Sequence, residues 1–440
     1  MKVLTRWSNN IMERYLPDPY VFVAILTLLV FLLGIIFTDS GPLDMVVHWG
    51  DGFWGLLSFT MQMVVVLVAG YVLAISPVFK RLLSTLANGA KSPGSAILLV
   101  TIVSLIACWI NWGFGLVIGA LFAKEIAKKV TTVDYRLLIA SAYSGFIIWH
   151  GGLAGSIPLS IATADHPFAD IMGVVPTAET IFSTYNLIIV IALVISVPLL
   201  NRFMMPKPED TFSIDPKLLE DKAEVEVEEK KTSLTPADRL ENSVLLSMLI
   251  GALGLAYLIQ HFASNGFDLN LNIVNLIFFI LGIIFHGTPK QFLAAIATAV
   301  KTAGGIIFQF PFYAGIMGMM VTSGLAGVIS EWFVAISTEH TFHLFTFYAA
   351  GVVNFFVPSG GGQWAVQAPI MLEASEALGV SYSKTAMAIA WGDAWTNMIQ
   401  PFWALPALAI AGLRAKDIMG YCVFVLLLSG LVISIGLFFF

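Results

Sequence analysis

The chain has 440 residues, 58% of them hydrophobic and only 11% charged, with a mean hydropathy of +0.87. Soluble domains carry about a quarter charged residues, so this composition excludes a soluble enzyme core and calls for a surface that faces lipid. Of the 22 basic and 28 acidic residues, 17 lie between Lys207 and Glu241, which makes the net charge of −6 largely a property of one loop and leaves no nucleic-acid signal. Cys108 and Cys422 both sit in apolar runs, which argues against a disulfide framework or a zinc site.

Residues 1–19 carry Arg6 and Arg14 ahead of the apolar run Val21 to Phe37, and no small-residue cleavage site follows it. The run is therefore a retained first helix, with a cytoplasmic N-terminus before it. Apolar segments of spanning length recur at about 20–38, 53–76, 137–163, 180–203, 243–261, 271–287, 303–328, 384–412 and 418–440, giving about nine spanning helices. Helices are expected because lipid cannot satisfy an exposed backbone. Two more apolar stretches, 95–127 and 342–372, are broken in the middle and are expected to form re-entrant hairpins. "WHGGLAGSIPLS" (149–160) and "WGDAWTNMIQPFWALP" (391–406) interrupt two later segments, predicting broken helices at 137–163 and 384–412.

The halves repeat. "LGIIF" occurs at 33–37 and at 281–285, and Pro42 matches Pro289, Gln62 matches Gln309 and Gly145 matches Gly392. Asn111 pairs with Asn354 at a slightly shorter offset. These landmarks predict a duplication of 20–203 and 268–440, separated by a charged linker at 204–242 and a connecting helix at 243–261. Lys and Arg near helix ends favour the cytoplasm. The stretches 39–52, 164–179, 262–270 and 329–341 lack both and are assigned outside; Lys384 is the one dissent. The linker is then cytoplasmic, the C-terminus periplasmic, and the helix at 243–261 inverts the second repeat. Inverted repeats with interrupted helices are the pattern of secondary transporters, whose site lies near the midplane.

In "NFFVPSGGGQWAVQAP" (354–369) a proline, a serine and three glycines stand where an apolar helix should run. Irregular backbone at membrane depth is tolerated where it lines a cavity, and the returning helix offers unpaired N–H groups to an anion. Gly360, Gly361 and Gly362 let a ligand approach, Ser359 and Gln363 add donors, and Asn354 offers an oxygen to a cation. "NWGFG" (111–115) is the matching tip, with Asn111 and Gly113. Asp393 is a carboxylate inside a predicted span, a costly placement that marks function. Asp393, Asn397 and Gln400 share one helical face by their spacing, beside Thr396. His150 is either a proton relay or a buried donor. Trp364, Trp395, Phe402 and Trp403 are placed as the walls of a small apolar pocket. With no Lys or Arg deep in a span, a dicarboxylate lacks its usual partner, so a small monoanion is expected. There is no Walker A motif and no catalytic or metal-ligand spacing.

"WGDGFWGLLSFTMQM", "INWGFGLVIGALFAKE", "NFFVPSGGGQWAVQAP" and "MIQPFWALPALAIAGL" resemble, nearly end to end, the bacterial short-chain fatty acid transporters of the acetoacetate/butyrate utilisation type. The resemblance implies uptake of short-chain acids across the inner membrane, kinship with the larger ion-transporter superfamily, and a homodimer. Many of those relatives carry Ser-Asn-Thr at the tips, where this chain has Asn-Trp-Gly and Pro-Ser-Gly.

The sequence thus predicts an all-α membrane protein, an inverted-repeat secondary transporter with two re-entrant hairpins and two broken helices. It is not expected to be an enzyme or to need a cofactor beyond a coupling ion. The carboxylate is assigned to the Ser359–Gly362 N–H groups with Asn111 or Thr396. Gly113, Gln363, Trp364 and Trp403 complete the substrate site. Asn354 and Asn397 are assigned to Na+, with Gln400 near them, or Asp393 and His150 to a proton. A passive channel and a carrier of another small anion are the alternatives; saturation and a response to ion gradients separate a carrier from a channel.

Overall fold

The computed structural model describes residues 19–215, 219, 235–400 and 402–440. Residues 1–18 of the expected cytoplasmic segment 1–19, and residues 216–218 and 220–234 of the charged linker, lie outside the described residues. Within them every regular element is helical.

The first half comprises α1 (Pro19–Phe37), α2 (Pro42–Gly52), α3 (Leu57–Ala74), α4 (Pro77–Leu86), α5 (Pro93–Ile110), α6 (Trp112–Lys129), α7 (Tyr135–Ser144), α8 (Ser156–Ile161) and α9 (Thr184–Phe203). A connecting helix, α10 (Val244–Asn265), follows. The second half comprises α11 (Leu271–His286), α12 (Pro289–Ala299), α13 (Gly304–Thr322), α14 (Leu325–Ile336), α15 (Phe342–Val353), α16 (Gly360–Leu378), α17 (Tyr382–Thr396), α18 (Ala404–Ala411) and α19 (Ala415–Phe439). The two sets have the same element order. Helix starts are marked by local chemistry: Pro42, Pro77, Pro93 and Pro289 each occupy a first helical turn, where a missing N–H costs nothing. Thr288 caps α12 by accepting from Gln291 N–H at 3.3 Å.

Among the described residues, eight helical stretches are long and apolar enough to cross a bilayer, one of them the interrupted Tyr135–Ile161. They include seven of the expected spans, together with Pro93–Ile110, which was expected as a hairpin arm. The 271–287 span is a shorter apolar helix, and the 384–412 span is divided into α17 and α18. Besides the short helices Ala169–Met172 and Pro236–Glu241, four longer stretches outside the expected spans are helical. The segments 42–52 and 77–86 are α2 and α4, residues 289–299 are α12, and the predicted outer loop 329–341 is largely α14. Gln62 links the halves, its side-chain N–H donating to Asn272 Oδ1 at 2.9 Å, whereas Gln309 accepts from Tyr313 within its own helix.

Both interruptions expected inside the hairpins are present. The first is a single residue, Asn111, between α5 and α6, and these arms pack along one another. The second is six residues long, and its arms splay: α15 lies on α17, while α16 leans on α13 and α14. The broken helices sit between these hairpins. In the first, α7 passes into a 3-10 turn at Gly145–Gly151 and resumes as α8. Gly145 backs onto Ser104 of one hairpin, and Gly392 onto Phe347 and Ala350 of the other. The start of the linker is anchored, because Asp134 Oδ2 accepts from Phe212 N–H at 2.8 Å.

Candidate functional site

The break after α17 has a local cause. The sequence places a proline at position 401, soon after the helix end, and proline has no backbone N–H to continue a helix. Side chains gather on the carbonyls at this helix end, where the Asp393 carbonyl also keeps the Asn397 backbone N–H at 3.2 Å. Asn397 Nδ2 donates to the Asp393 carbonyl, 2.6 Å, and Asn354 Nδ2 donates to the same carbonyl, 3.1 Å. Tyr143 hydroxyl donates to the Asn397 carbonyl at 2.7 Å, lacing the first broken helix to the second. In the first break, Trp109 Nε1 and Asn186 Nδ2 both donate to the Gly151 carbonyl, at 3.0 and 3.1 Å. Buried backbone is thereby satisfied away from water.

These contacts bring four predicted residues to one place. His150 Nε2 lies 3.2 Å from Asp393 Oδ2, and both side chains are fully buried. The approach has ion-pair distance without hydrogen-bond alignment, so neither carboxylate oxygen of Asp393 accepts a hydrogen bond. The Asn354 and Asn397 amides spend their N–H groups on the Asp393 carbonyl, and their Oδ1 atoms are buried and unpaired. Three acceptor oxygens, Asp393 Oδ1 and the Oδ1 atoms of Asn354 and Asn397, are therefore held by this group without a donor, and Asp393 Oδ2 has only His150 Nε2 beside it. Buried acceptors normally find a donor, and each exception calls for a reason.

The two tips approach the same region from opposite hairpins. Ser359 caps α16 by accepting from Gly362 N–H at 3.5 Å, and Asn111 caps α6 by accepting from Phe114 N–H at 2.9 Å. Asn111 thus corresponds to Ser359, since each starts the returning arm. Asn111 also matches Asn354, since each directly follows the first arm of its hairpin. Gly360 abuts the His150 and Trp149 rings; Gly361 faces Phe59 and Phe310, and Gly362 faces Tyr313. Gly113 packs on the backbone of Leu67 in α3.

Other predicted residues have different work. Gln363 Nε2 donates to the Ala350 carbonyl at 2.8 Å and to Gln367 Oε1 at 2.9 Å, so it ties the hairpin arms rather than presenting donors at the tip. Thr396 donates to the Gly351 carbonyl and accepts from Asn354, both at 2.9 Å, as a clamp between α15 and α17. Gln400 lies off the expected helical face, because the helix ends at Thr396; its Oε1 accepts from Phe402 N–H at 2.9 Å. Trp364 packs on Phe168 and Trp395 on Phe347, away from each other. Of the expected apolar wall, only Phe402 and Trp403 meet, 4.9 Å between centroids.

The wall beside Trp403 is built from residues the sequence reading passed over. Trp112 stands 5.0 Å from Trp403 and 5.7 Å from Trp149, and Phe146 stacks on Trp149 at 5.2 Å. The signal was present, since Trp112 follows Asn111 and Trp149 precedes His150, yet a Trp in an apolar run looks like core. The site is an acceptor-rich group beside an aromatic one, suited to holding ions and apolar chains.

The family model for short chain fatty acid transporters matches residues 1–440. The chain belongs to this family. Among its relatives, one from Escherichia coli (strain K12) is 49% identical over 99% of this chain and 98% of its own length, and one from Haemophilus influenzae is 47% identical over 99% of each. Both are named, provisionally, as short-chain fatty acid transporters. The fold is similar to that of the Alcanivorax borkumensis YdaH transporter, whose topology is described as unusual, at TM-score 0.59 and 16% identity over 96% and 97% of the two chains. It is also similar to that of Neisseria gonorrhoeae MtrF, of a class of antimetabolite efflux pumps, at TM-score 0.50 and 13% identity over 98% and 97%. This family member is accordingly a multi-pass membrane protein of transporter fold.

Proposed function

We propose that the protein is a secondary active carrier that takes up short-chain monocarboxylates, such as acetoacetate or butyrate, across the bacterial inner membrane together with Na+. The observation that carries this reading is the group of four buried oxygens on Asp393, Asn354 and Asn397, three of which have no donor and the fourth only His150 beside it. Hard cations take such oxygen ligands, and broken helices supply them in secondary transporters. A co-transported cation also balances the carboxylate charge in a site with no arginine or lysine. The repeated element order supports an inverted duplication, with the linker cytoplasmic and the C-terminus periplasmic. One observation favours a second reading: His150, 3.2 Å from Asp393 Oδ2, offers the carboxylate a proton partner. Counterflow of labelled butyrate in proteoliposomes, with Na+ and pH gradients imposed separately, tests both. Saturable exchange accelerated by a Na+ gradient is the expected result. Full-rate exchange without Na+ that follows a pH gradient selects the proton, and no exchange at all overturns the carrier reading.

A further inference from the structure

We propose that the substrate carboxylate is received by neutral N–H donors at the first hairpin tip: the Asn111 side-chain amide and the indoles of Trp112, Trp149 and Trp403. This deepens the carrier reading and rests on it. It moves the carboxylate from the Ser359–Gly362 turn to the opposite tip.

Three facts converge. Trp112 contacts both Trp149 and Trp403 through its ring, and each of these three indole N–H groups is buried without an acceptor. Asn111, the residue before Trp112, spends its Oδ1 on capping Phe114 N–H, while its Nδ2 is also buried and unpaired. All four side chains are at least nine-tenths buried, with Asn111 fully so and Trp403 the most open at 6% exposed. Elsewhere among the described residues, Trp109, Trp391 and Trp395 donate to Gly151, Asn186 and Leu426, while Trp49 and Trp364 are also buried without an acceptor but stand outside this ring cluster. Four donors gathered without an acceptor await an acceptor-only group, and an ionised carboxylate is one. The Asp393 group carries the opposite excess, four acceptor oxygens beside the single imidazole of His150. Anion and cation thus have separate subsites, with Trp149 and His150 as adjacent residues between them.

The same tip opens on a cavity of about 210 Å3, lined by Leu67, Tyr71, Gly113, Val117, Phe402 and Trp403. That is smaller than the roughly 300–1,000 Å3 of sites for drug-sized ligands and is largely apolar, as a short alkyl chain requires. A second carboxylate on the ligand would meet a lining whose polar side chains are the hydroxyls of Tyr71 and Thr302, with no Lys or Arg to pair it.

Asn111→Asp is the discriminating variant. Aspartate caps a helix as well as asparagine, so the tip folds, but the donor is lost and a like charge faces the ligand. Butyrate counterflow is expected to fall more than tenfold. Trp112→Phe, Trp149→Phe and Trp403→Phe keep a ring and remove the N–H; each is expected to raise the half-saturating butyrate concentration about tenfold, the scale of a lost hydrogen bond to a charged group. Trp49→Phe removes a buried unpaired indole that packs on Phe53 and Phe312, outside the cluster, and is expected to match the wild type. Succinate is expected not to compete with butyrate. If the wild type exchanges butyrate while Asn111→Asp and the three Trp variants keep wild-type half-saturation, the donor assignment falls and the carrier reading stands. If the wild type exchanges no butyrate, the carrier reading falls first and takes this assignment with it.

Discussion

Gly360→Ala is the sharpest probe of the contact between the second tip and the His150–Asp393 pair. A Cβ at this position would collide with His150 Nε2, lie 2.6 Å from His150 Cε1 and 2.9 Å from Trp149 Cη2. Ordinary contact between such atoms begins near 3.5 Å, so the imidazole must retreat by roughly 1 Å. The ring has little room, since Trp149 is buried behind it at a 3.5 Å centroid separation. Overpacking of this kind costs about 1–3 kcal/mol, against which alanine gains up to about 1 kcal/mol in helix propensity over glycine. A weaker helix therefore cannot explain a loss. Where function depends on placement, a 1 Å error costs on the order of 100-fold, and that is the expected drop in butyrate counterflow per mole of reconstituted protein. Gly50→Ala is the matched control, because its Cβ meets nothing within 4 Å. Activity of Gly360→Ala within twofold of the wild type would refute the argument that this tip positions His150.

Asn354→Ala and Asn397→Ala are expected to raise the Na+ concentration for half-maximal uptake about tenfold, the scale of one lost charged contact, while Asp393→Asn keeps some Na+-driven transport. Loss of all transport in Asp393→Asn with a pure pH-gradient response would favour the proton. An accessibility tag in 204–242 is expected to react only in opened cells and one after Phe440 in intact cells; a cytoplasmic C-terminus would end the inverted-repeat reading. The loop at 162–183 is expected to loosen in acid: His166 Nε2 bonds the Gly173 carbonyl at 2.8 Å while Nδ1 accepts from Phe168 N–H at 3.2 Å, an arrangement that holds the ring neutral. Burial lowers the His166 pKa below its usual 6.5, with the Gly173 contact opposing in part. The unfolded loop then binds more protons just below pH 6.5, so stability is full above that value and declines as pH falls toward the folded pKa. Protection of this loop from hydrogen exchange, taken relative to the base-catalysed intrinsic rate at each pH, should be weaker at pH 5.5 than at 7.5 in the wild type, and His166→Gln should remove the difference.

What the sequence made legible follows from the cost of placing polar groups in lipid. Asp393, Asn397, Asn354 and His150 stand out in apolar runs because each is expensive there, and the fold gathers all four. Gln363 and Thr396 stand out for the same reason, yet serve as ties between helices; cost reveals that a polar residue has a partner, without saying whether the partner is protein or ligand. The spacing of Gln363 and Gln367 was a hint that they pair along one helix face. The indoles of Trp112 and Trp149 were invisible, since their rings are as apolar as their neighbours and only the fold shows their N–H groups to be unpaired. The helix α4 was missed because ten residues are too few to span, although Val78, Leu82 and Leu86 recur at the four-residue spacing of an exposed apolar stripe.

The short helices α2 and α12 also bear on how the two sets can move. α2 packs on α13, so closely that a Cβ on Gly52 would lie 2.9 Å from the Ala314 carbonyl and from Gly318 Cα, and α12 packs on α3. Each set thus holds a helix of the other in a reciprocal clasp. Neither can swing away whole, and any rigid unit that travels during transport must be cut across both sets rather than along the boundary between them. The linker is then dispensable as a covalent bond: two polypeptides divided within it would still be woven into one molecule.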